Sequence, residues 1–522
     1  MNPPNAAQHD SPRSLAPPSP RWIGLPITIV RVIVQTAFFA FFVLLVLLTT
    51  FTQLERFPGL RDLASKYLEI DPLIALATAL TTHTIYKGLL WSLTILIPTI
   101  FLGRFFCNWI CPYGTLHQFV GWLGRATRKR KHAESEEQHP NRYRPSQRLK
   151  YVLLIALLVA ALCGSLQIGL IDPLCLFHRS LTGAVVPSLA LPAPALLGPA
   201  RTHHGAWIIG FILFALVALN LVYPRFFCRV LCPLGAFLGW LSRFIWWRID
   251  RDPAKCHGCD RCRDHCEGAC DPHAKLRTAE CTLCLNCIAD CPEGALRFVF
   301  MPPREREIPA PDASRRKLLF AGVTGLLFYA FARVSRKNPA WSAANVIRPP
   351  GARPEPEFLE RCVKCDQCLK ACPTNVIQPA WLESGVEGIW TPRLDFEIGH
   401  CQLHCVTCST VCPTGALRPL TIAEKLGLES FADRGPLKLG LAVLDTGICI
   451  PHSCGVPCVV CEEVCPTSPK AIATVTETRR TPAGDITVVL PFVVPDRCIG
   501  CGLCENQCPT IPRRAIRVVP QT

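Results

Sequence analysis

The chain has 522 residues, enough for three or four domains at about 150 residues each. Half of its residues are hydrophobic and its mean hydropathy is +0.27, which argues against an all-soluble protein and for membrane spans beside soluble parts. The net charge of +16 gathers in loops beside apolar segments, so it reads as membrane orientation rather than nucleic-acid binding. The 32 cysteines stand in threes and fours at short spacing, which excludes a disulfide scaffold and a metal-free cytosolic enzyme.

Residues 1–20 are rich in Pro, Ser and Asn and read as a disordered N-terminus. The apolar run Ile27 to Leu48 is long enough to span a bilayer. Phe51 to Ile85 has balanced charge and reads as an external loop. A second, shorter span runs from Gly88 to Gly103 and ends in Arg104-Phe-Phe-Cys107-Asn-Trp-Ile-Cys111-Pro112. The loop from Arg125 to Lys150 holds nine Lys/Arg against three Glu, which makes it cytoplasmic. A third span, Tyr151 to Leu170, leads out again. Ala184 to Ala200 is apolar, but its four prolines disfavour a helix. A fourth span, Trp207 to Tyr223, returns to Arg225-Phe-Phe-Cys228-Arg-Val-Leu-Cys232-Pro233.

The two R-F-F-C-x3-C-P segments are an internal repeat. On a helix, cysteines at i and i+4 share a face, so Cys107, Cys111, Cys228 and Cys232 could bring four thiols together at the inner interface. The readings are a membrane redox or metal motif, a docking feature, or a motif that only caps and packs two helix ends.

After a Trp-rich stretch (Trp240, Trp246, Trp247) comes the spacing that bacterial ferredoxins use for 4Fe–4S clusters, C-x2-C-x2-C-x3-C. It occurs six times, some copies irregular, which leaves little room for chance or zinc. The first two runs are Cys256, Cys259, Cys262, Cys266 and Cys281, Cys284, Cys287, Cys291. By the crossing rule Cys291 completes the first set and Cys266 the second, with Cys270 as rival to Cys266.

Ser314-Arg315-Arg316 then precedes fifteen uncharged residues, Leu318 to Ala332. This fits a twin-arginine export signal, cleaved near Ala330-Phe-Ala332 or kept as an anchor, and equally an ordinary fifth span. Either way the residues beyond Ala332 lie outside. Past a linker come four more runs: Cys362, Cys365, Cys368, Cys372; Cys401, Cys405, Cys408, Cys412; Cys449, Cys458, Cys461, Cys465, where Cys454 rivals Cys449; and Cys498, Cys501, Cys504, Cys508. The spacing leaves their pairing open.

The expected fold is an α-helical membrane domain of four spans plus a fifth signal or anchor segment, carrying small α+β ferredoxin domains. The divisions are 1–20, 21–250 (membrane), 251–300 (cytoplasmic two-cluster unit), 301–356 (linker with signal or anchor) and 357–522 (periplasmic four-cluster unit). No paired carboxylates, nucleophile triad or phosphate loop stand out, so no catalytic residue is assigned. His83, His117, His178, His203 and His204 lie near membrane edges, where they could serve quinol deprotonation or merely pack. His257, His265 and His404 sit inside runs that already have four thiols.

Residues from about Arg21 to Phe300 resemble the NapH-type quinol dehydrogenase membrane component, which shares four spans, two C-x3-C-P motifs and a two-cluster ferredoxin. Ser314 to Val519 resembles the NapG/MauM-type periplasmic ferredoxin, with a twin-arginine signal and four runs. The chain therefore looks like a fusion of the two. The resemblance implies six 4Fe–4S clusters, a quinol donor, a multi-pass protein of the bacterial inner membrane, and a periplasmic reductase or cytochrome as partner, such as a Nap-type nitrate reductase system. A methylamine or nitrous-oxide acceptor and an assembly factor for a periplasmic metalloenzyme are the alternatives.

Overall fold

The computed structural model describes residues 21–22, 25–49, 59–128, 141–190, 201–301, 307–308, 314–335, 346–481 and 484–521. The N-terminus expected to be disordered, and parts of the basic loop, of the proline-rich stretch and of the linker, lie outside these residues.

Among the described residues three helices are long and apolar enough to cross a membrane: Ile27–Leu48, Pro145–Leu162 and Arg315–Ser335. The first has 22 residues and so is ~33 Å long at 1.5 Å per residue, close to a hydrocarbon core. Its Ile29, Val32, Ile33, Phe41 and Leu44 face outward, as lipid contact requires. Arg315–Ser335 packs along Leu149–Leu162, with Gly325 against the carbonyl of Ala156.

The second and fourth expected spans are shorter helices, Leu93–Leu102 and Ala206–Ala218, each extended by a 3-10 turn. The first ends because Gly103 turns to φ 76° before the R-F-F-C segment. The expected external loop contains two helices, Leu60–Glu69 and Pro72–Thr82. The second is buried along one side, and at 11 residues it is too short to read as a span. The helix Val186–Ala190 also includes Pro187 and enters the stretch expected to be non-helical.

The cysteine runs fold into three small units, each closed by pairing its first segment with its last. Trp247–Arg251 pairs antiparallel with Leu296–Phe300. Ala352 bridges Leu417, and Arg418 N–H donates to the Gly351 carbonyl at 2.7 Å. Leu441–Leu444 pairs antiparallel with Ile516–Val519, and this third unit also carries the hairpin Ile472–Thr481/Gly484–Val493.

These units occupy opposite ends of the long helices. Near the start of Ile27–Leu48, Arg31 Nη1 donates to the Cys284 carbonyl at 2.6 Å. Just past its other end, Thr49 receives the Lys370 ammonium. Helix Leu149–Leu162 repeats the arrangement: Lys150 bonds Glu280 at one end, and beyond the other Lys364 bonds Gln167.

Candidate metal centres

Each C-x2-C step needs a turn that brings successive thiols to one side. Most steps make it with a residue in the left-handed region, Asp260 (φ 55°), Leu283 (47°), Leu285 (60°), Lys364 (56°), Asp366 (64°), Gly258, Gly500 and Gly502, whereas the Cys405–Cys408 and Cys458–Cys461 steps turn through Val406 (φ -128°) and Val459 (φ -126°).

In the unit 247–300, Cys256, Cys259, Cys262 and Cys291 line one pocket. Cys281, Cys284 and Cys287 gather with Cys266 in a second, more buried group. Cys270 joins that group, its Sγ 3.4 Å from that of Cys266, so both remain in reach of the same centre.

In the unit 351–418, Cys362, Cys365, Cys368 and Cys412 line one pocket. Cys372, Cys401, Cys405 and Cys408 line another. In the third unit Cys461 lies within electrostatic reach of Cys449, Cys458 and Cys508, while Cys501 faces Cys465 and Cys498. Cys449 is buried in this core and Cys454 is exposed. The four runs after residue 346 therefore pair as neighbours, an order that the spacing leaves open. The Cys401 N–H donates to the Cys501 carbonyl at 2.9 Å, joining the second and third units.

Among the described residues no three His, Cys, Asp or Glu side chains converge as tightly as one metal ion needs. The donor sets instead suit a larger thiolate-bound cluster. Backbone N–H groups point at the sulfurs, as thiolates require: Ala295 to Cys291 at 3.3 Å, Ala442 to Cys498 at 3.4 Å and Ala471 to Cys465 at 3.3 Å. Burial pushes the thiols of Cys262, Cys362 and Cys461 up to about 12, a cost that metal ligation removes. Burial also draws Lys364 down to about 7 and raises Asp366 and Glu505 to about 7.

The two R-F-F-C-x3-C-P segments differ in their turn, α-helical at Phe106–Trp109 and π-helical at Phe227–Leu231, but end in the same cap. Gly114 N–H donates to Cys111 Sγ at 3.4 Å, and Gly235 N–H to Cys232 Sγ at 3.2 Å. Arg225 reaches across to the Gly114 carbonyl at 3.4 Å, and Arg104 packs against Gly235. Cys107, Cys111, Cys228 and Cys232 thus share one buried neighbourhood. The unit 247–300 abuts it: Trp109 Nε1 donates to the Leu283 carbonyl at 3.0 Å, and Arg104 and Lys150 both contact Glu280.

At the opposite end, Val363 and Cys365 belong to the same core as Phe42, Tyr113, Phe177 and Phe227. His178 Nδ1 bonds the Cys365 carbonyl at 2.7 Å, and Arg179 Nη1 donates to the Lys364 carbonyl at 3.2 Å. Gly169 touches the Val363 carbonyl so closely that no Cβ fits between them.

Of the other histidines, His117 is buried against Asn220, and His204 pairs with Asp395 at 3.2 Å. His203 is largely buried and bonds none of the thiols. His83, His257, His265 and His404 are exposed, His265 pairing with Asp290 at 2.9 Å.

A family model described as a 4Fe-4S binding domain matches residues 84–131 and 204–251, the two C-x3-C-P segments. A 4Fe-4S dicluster domain model matches 361–416, and a further 4Fe-4S binding domain model matches 491–510. The methylamine utilization ferredoxin-type protein MauM of Methylorubrum extorquens is 34% identical over 223 residues, 40% of this chain and 90% of MauM. The ferredoxin-type protein NapG of Escherichia coli is 35% identical over 197 residues, 37% of this chain and 80% of NapG. Protein NirI of Paracoccus denitrificans is 32% identical over 206 residues, 38% of this chain and 26% of NirI. No solved structure matches the chain.

Proposed function

The chain belongs to the family of the ferredoxin-type proteins MauM and NapG through about 40% of its length, and from that premise we propose that it carries electrons from a membrane quinol to a periplasmic acceptor. It is an iron–sulfur electron-transfer protein with a helical membrane region. The observation that carries the directional reading is the junction at Cys365, where a cluster-type thiol group is built into the core of the membrane domain.

We assign six 4Fe–4S clusters to six thiol sets. The inner sets are Cys256, Cys259, Cys262, Cys291 and Cys266, Cys281, Cys284, Cys287. The outer sets are, in order, Cys362, Cys365, Cys368, Cys412; Cys372, Cys401, Cys405, Cys408; Cys465, Cys498, Cys501, Cys504; and Cys449, Cys458, Cys461, Cys508. Bound clusters supply one-electron carriers at these positions. The chain's own part is to hold the outer sets in file, through the Cys401–Cys501 backbone bond, from the membrane junction to the far end of residues 441–519. Cys107, Cys111, Cys228 and Cys232 form the membrane redox or metal motif.

On this reading the protein is a fusion of NapH-like and NapG-like parts, and residues 315–335 are its last span. The basic loop faces the cytoplasm and residues 346–521 face the periplasm of a bacterial inner membrane. Nap-, Mau- and Nir-type redox systems are the partner classes to test. The experiment is anaerobic purification in detergent followed by a ubiquinol or menaquinol analogue. Iron–sulfur bleaching and EPR signals that a quinol-site inhibitor blocks are expected. Reduction by dithionite but by neither quinol would overturn the quinol reading and favour the assembly-factor alternative.

A further inference from the structure

The membrane domain carries a second internal repeat besides the cysteine motif: Ile70-Asp71-Pro72-Leu73 and Ile171-Asp172-Pro173-Leu174. Both copies do the same local work. Asp71 Oδ1 caps Pro72–Thr82 by accepting from Leu73 N (2.8 Å) and Ile74 N (3.3 Å), and Asp172 Oδ1 caps Pro173–Ser180 by accepting from Leu174 N (2.9 Å) and Cys175 N (3.1 Å). The fold then brings the two carboxyls within electrostatic reach of each other, both with no exposed surface. Two buried negative charges disfavour each other, so the pair holds a proton in preference to two ionised carboxylates.

Capping uses only Oδ1. Oδ2 of each Asp is buried and receives no N–H or O–H donor from the protein. Two further buried polar atoms at this end of the membrane domain lack partners. The Tyr67 hydroxyl, on a side chain 8% exposed, lies within electrostatic reach of Asp71. His178, 2% exposed, uses Nδ1 on the Cys365 carbonyl and leaves Nε2 unbonded. The Phe42 ring lies between them, 4.8 Å from the Tyr67 ring and 6.4 Å from that of His178. Orphaned polar atoms inside a membrane domain ask for a ligand or a proton. Tyr67, Cys175 and Arg179 are the titratable groups whose charge bears on the pair.

We propose that Asp71 and Asp172 form the proton-accepting group for quinol oxidation, at the end of the membrane domain where the Cys365 unit docks. This rests on the quinol reading above. A quinol loses two protons and two electrons to become a quinone. The shared proton leaves the pair one basic position. A quinol O–H bond breaks, a carboxyl O–H bond forms there, and the proton then leaves toward the docked side. Two such transfers, with one electron passing to each of two oxidised iron–sulfur centres, complete one quinol.

The test uses the full chain and the isosteric variants Asp71→Asn and Asp172→Asn, which keep the capping oxygen. Full iron content and dithionite reduction serve as the folding check. Quinol-driven reduction should slow by ~100-fold or more, while affinity for a quinone analogue, read by fluorescence quenching, changes far less. In the wild type the rate should rise with pH as the pair loses protons, and the variants should lose that rise. The infrared band of a protonated carboxyl should change on quinone-analogue binding in the wild type and not in Asp71→Asn. If quinol reduces the wild type and both variants at equal rates with one pH profile, the pair holds only a structural proton or water and the proposal is overturned. If quinol fails with the wild type, the underlying quinol reading has failed instead.

Discussion

The two ends of the membrane domain hold their iron–sulfur units by different means. At the end that carries residues 247–300, contact is charged and polar: Arg31 and Arg104 reach backbone carbonyls, and Arg104 and Lys150 converge on Glu280. The end that carries residues 346–521 also has polar contacts, Lys370 to Thr49, Lys364 to Gln167, and His178 and Arg179 to backbone carbonyls, but there the first thiol group is in addition part of the apolar core, Val363 and Cys365 sharing one cluster with Phe177 and Tyr113. The first is a docked module. The second continues the membrane domain, which on the proposed reading puts its first centre where electrons leave the bilayer.

Iron removal should separate the two regions from the spans most strongly. Cys362, Cys372, Cys408, Cys449, Cys498, Cys504 and Cys508 form much of the outer core, so anaerobic chelation should unfold residues 346–521. Helix Ile27–Leu48 should persist. Limited proteolysis with mass spectrometry checks this, and equal protection of both regions after chelation would break the distinction.

Glu280→Ala tests the charged end alone. It strands Lys150, which is fully buried, and should cost ~3–5 kcal/mol of inner-unit attachment. Hydrogen exchange should rise across residues 247–300 and stay unchanged across 346–419.

A matched pair of glycine substitutions sharpens the contrast. Gly239 abuts the Ala279 carbonyl, and Gly169 abuts that of Val363. Gly239→Ala and Gly169→Ala should each cost ~1–3 kcal/mol by overpacking. Exchange should rise only in the unit on the same side. Only Gly169→Ala should slow quinol-driven reduction of the outer centres.

The smallest effect is expected at Cys454. Cys454→Ser should leave iron content unchanged, whereas Cys449→Ser should lose one centre by iron and sulfide analysis.

How much is legible in the sequence depends on the range of the interactions involved. Cluster spacing is local, so the runs stand out as text, as does the C-x3-C-P repeat. Which run pairs with which depends on strand closures such as Leu441–Leu444 with Ile516–Val519, and no local spacing encodes that. The Pro72–Thr82 helix is hidden in the sequence because a buried helix of 11 residues next to a charged one averages to a balanced loop. The paired carboxylates do not stand out because Asp71 and Asp172 are 101 positions apart. The repeated Ile-Asp-Pro-Leu is the available signal. His178 is one of several edge histidines until the fold sets it on Cys365.

The most direct test of the central claim is rapid-freeze EPR after mixing the oxidised chain with quinol. The first signal to appear should be the one missing from a Cys412→Ser variant, the thiol that completes the membrane-docked set. Early reduction of the inner centres, with the outer ones oxidised until dithionite is added, would contradict the account.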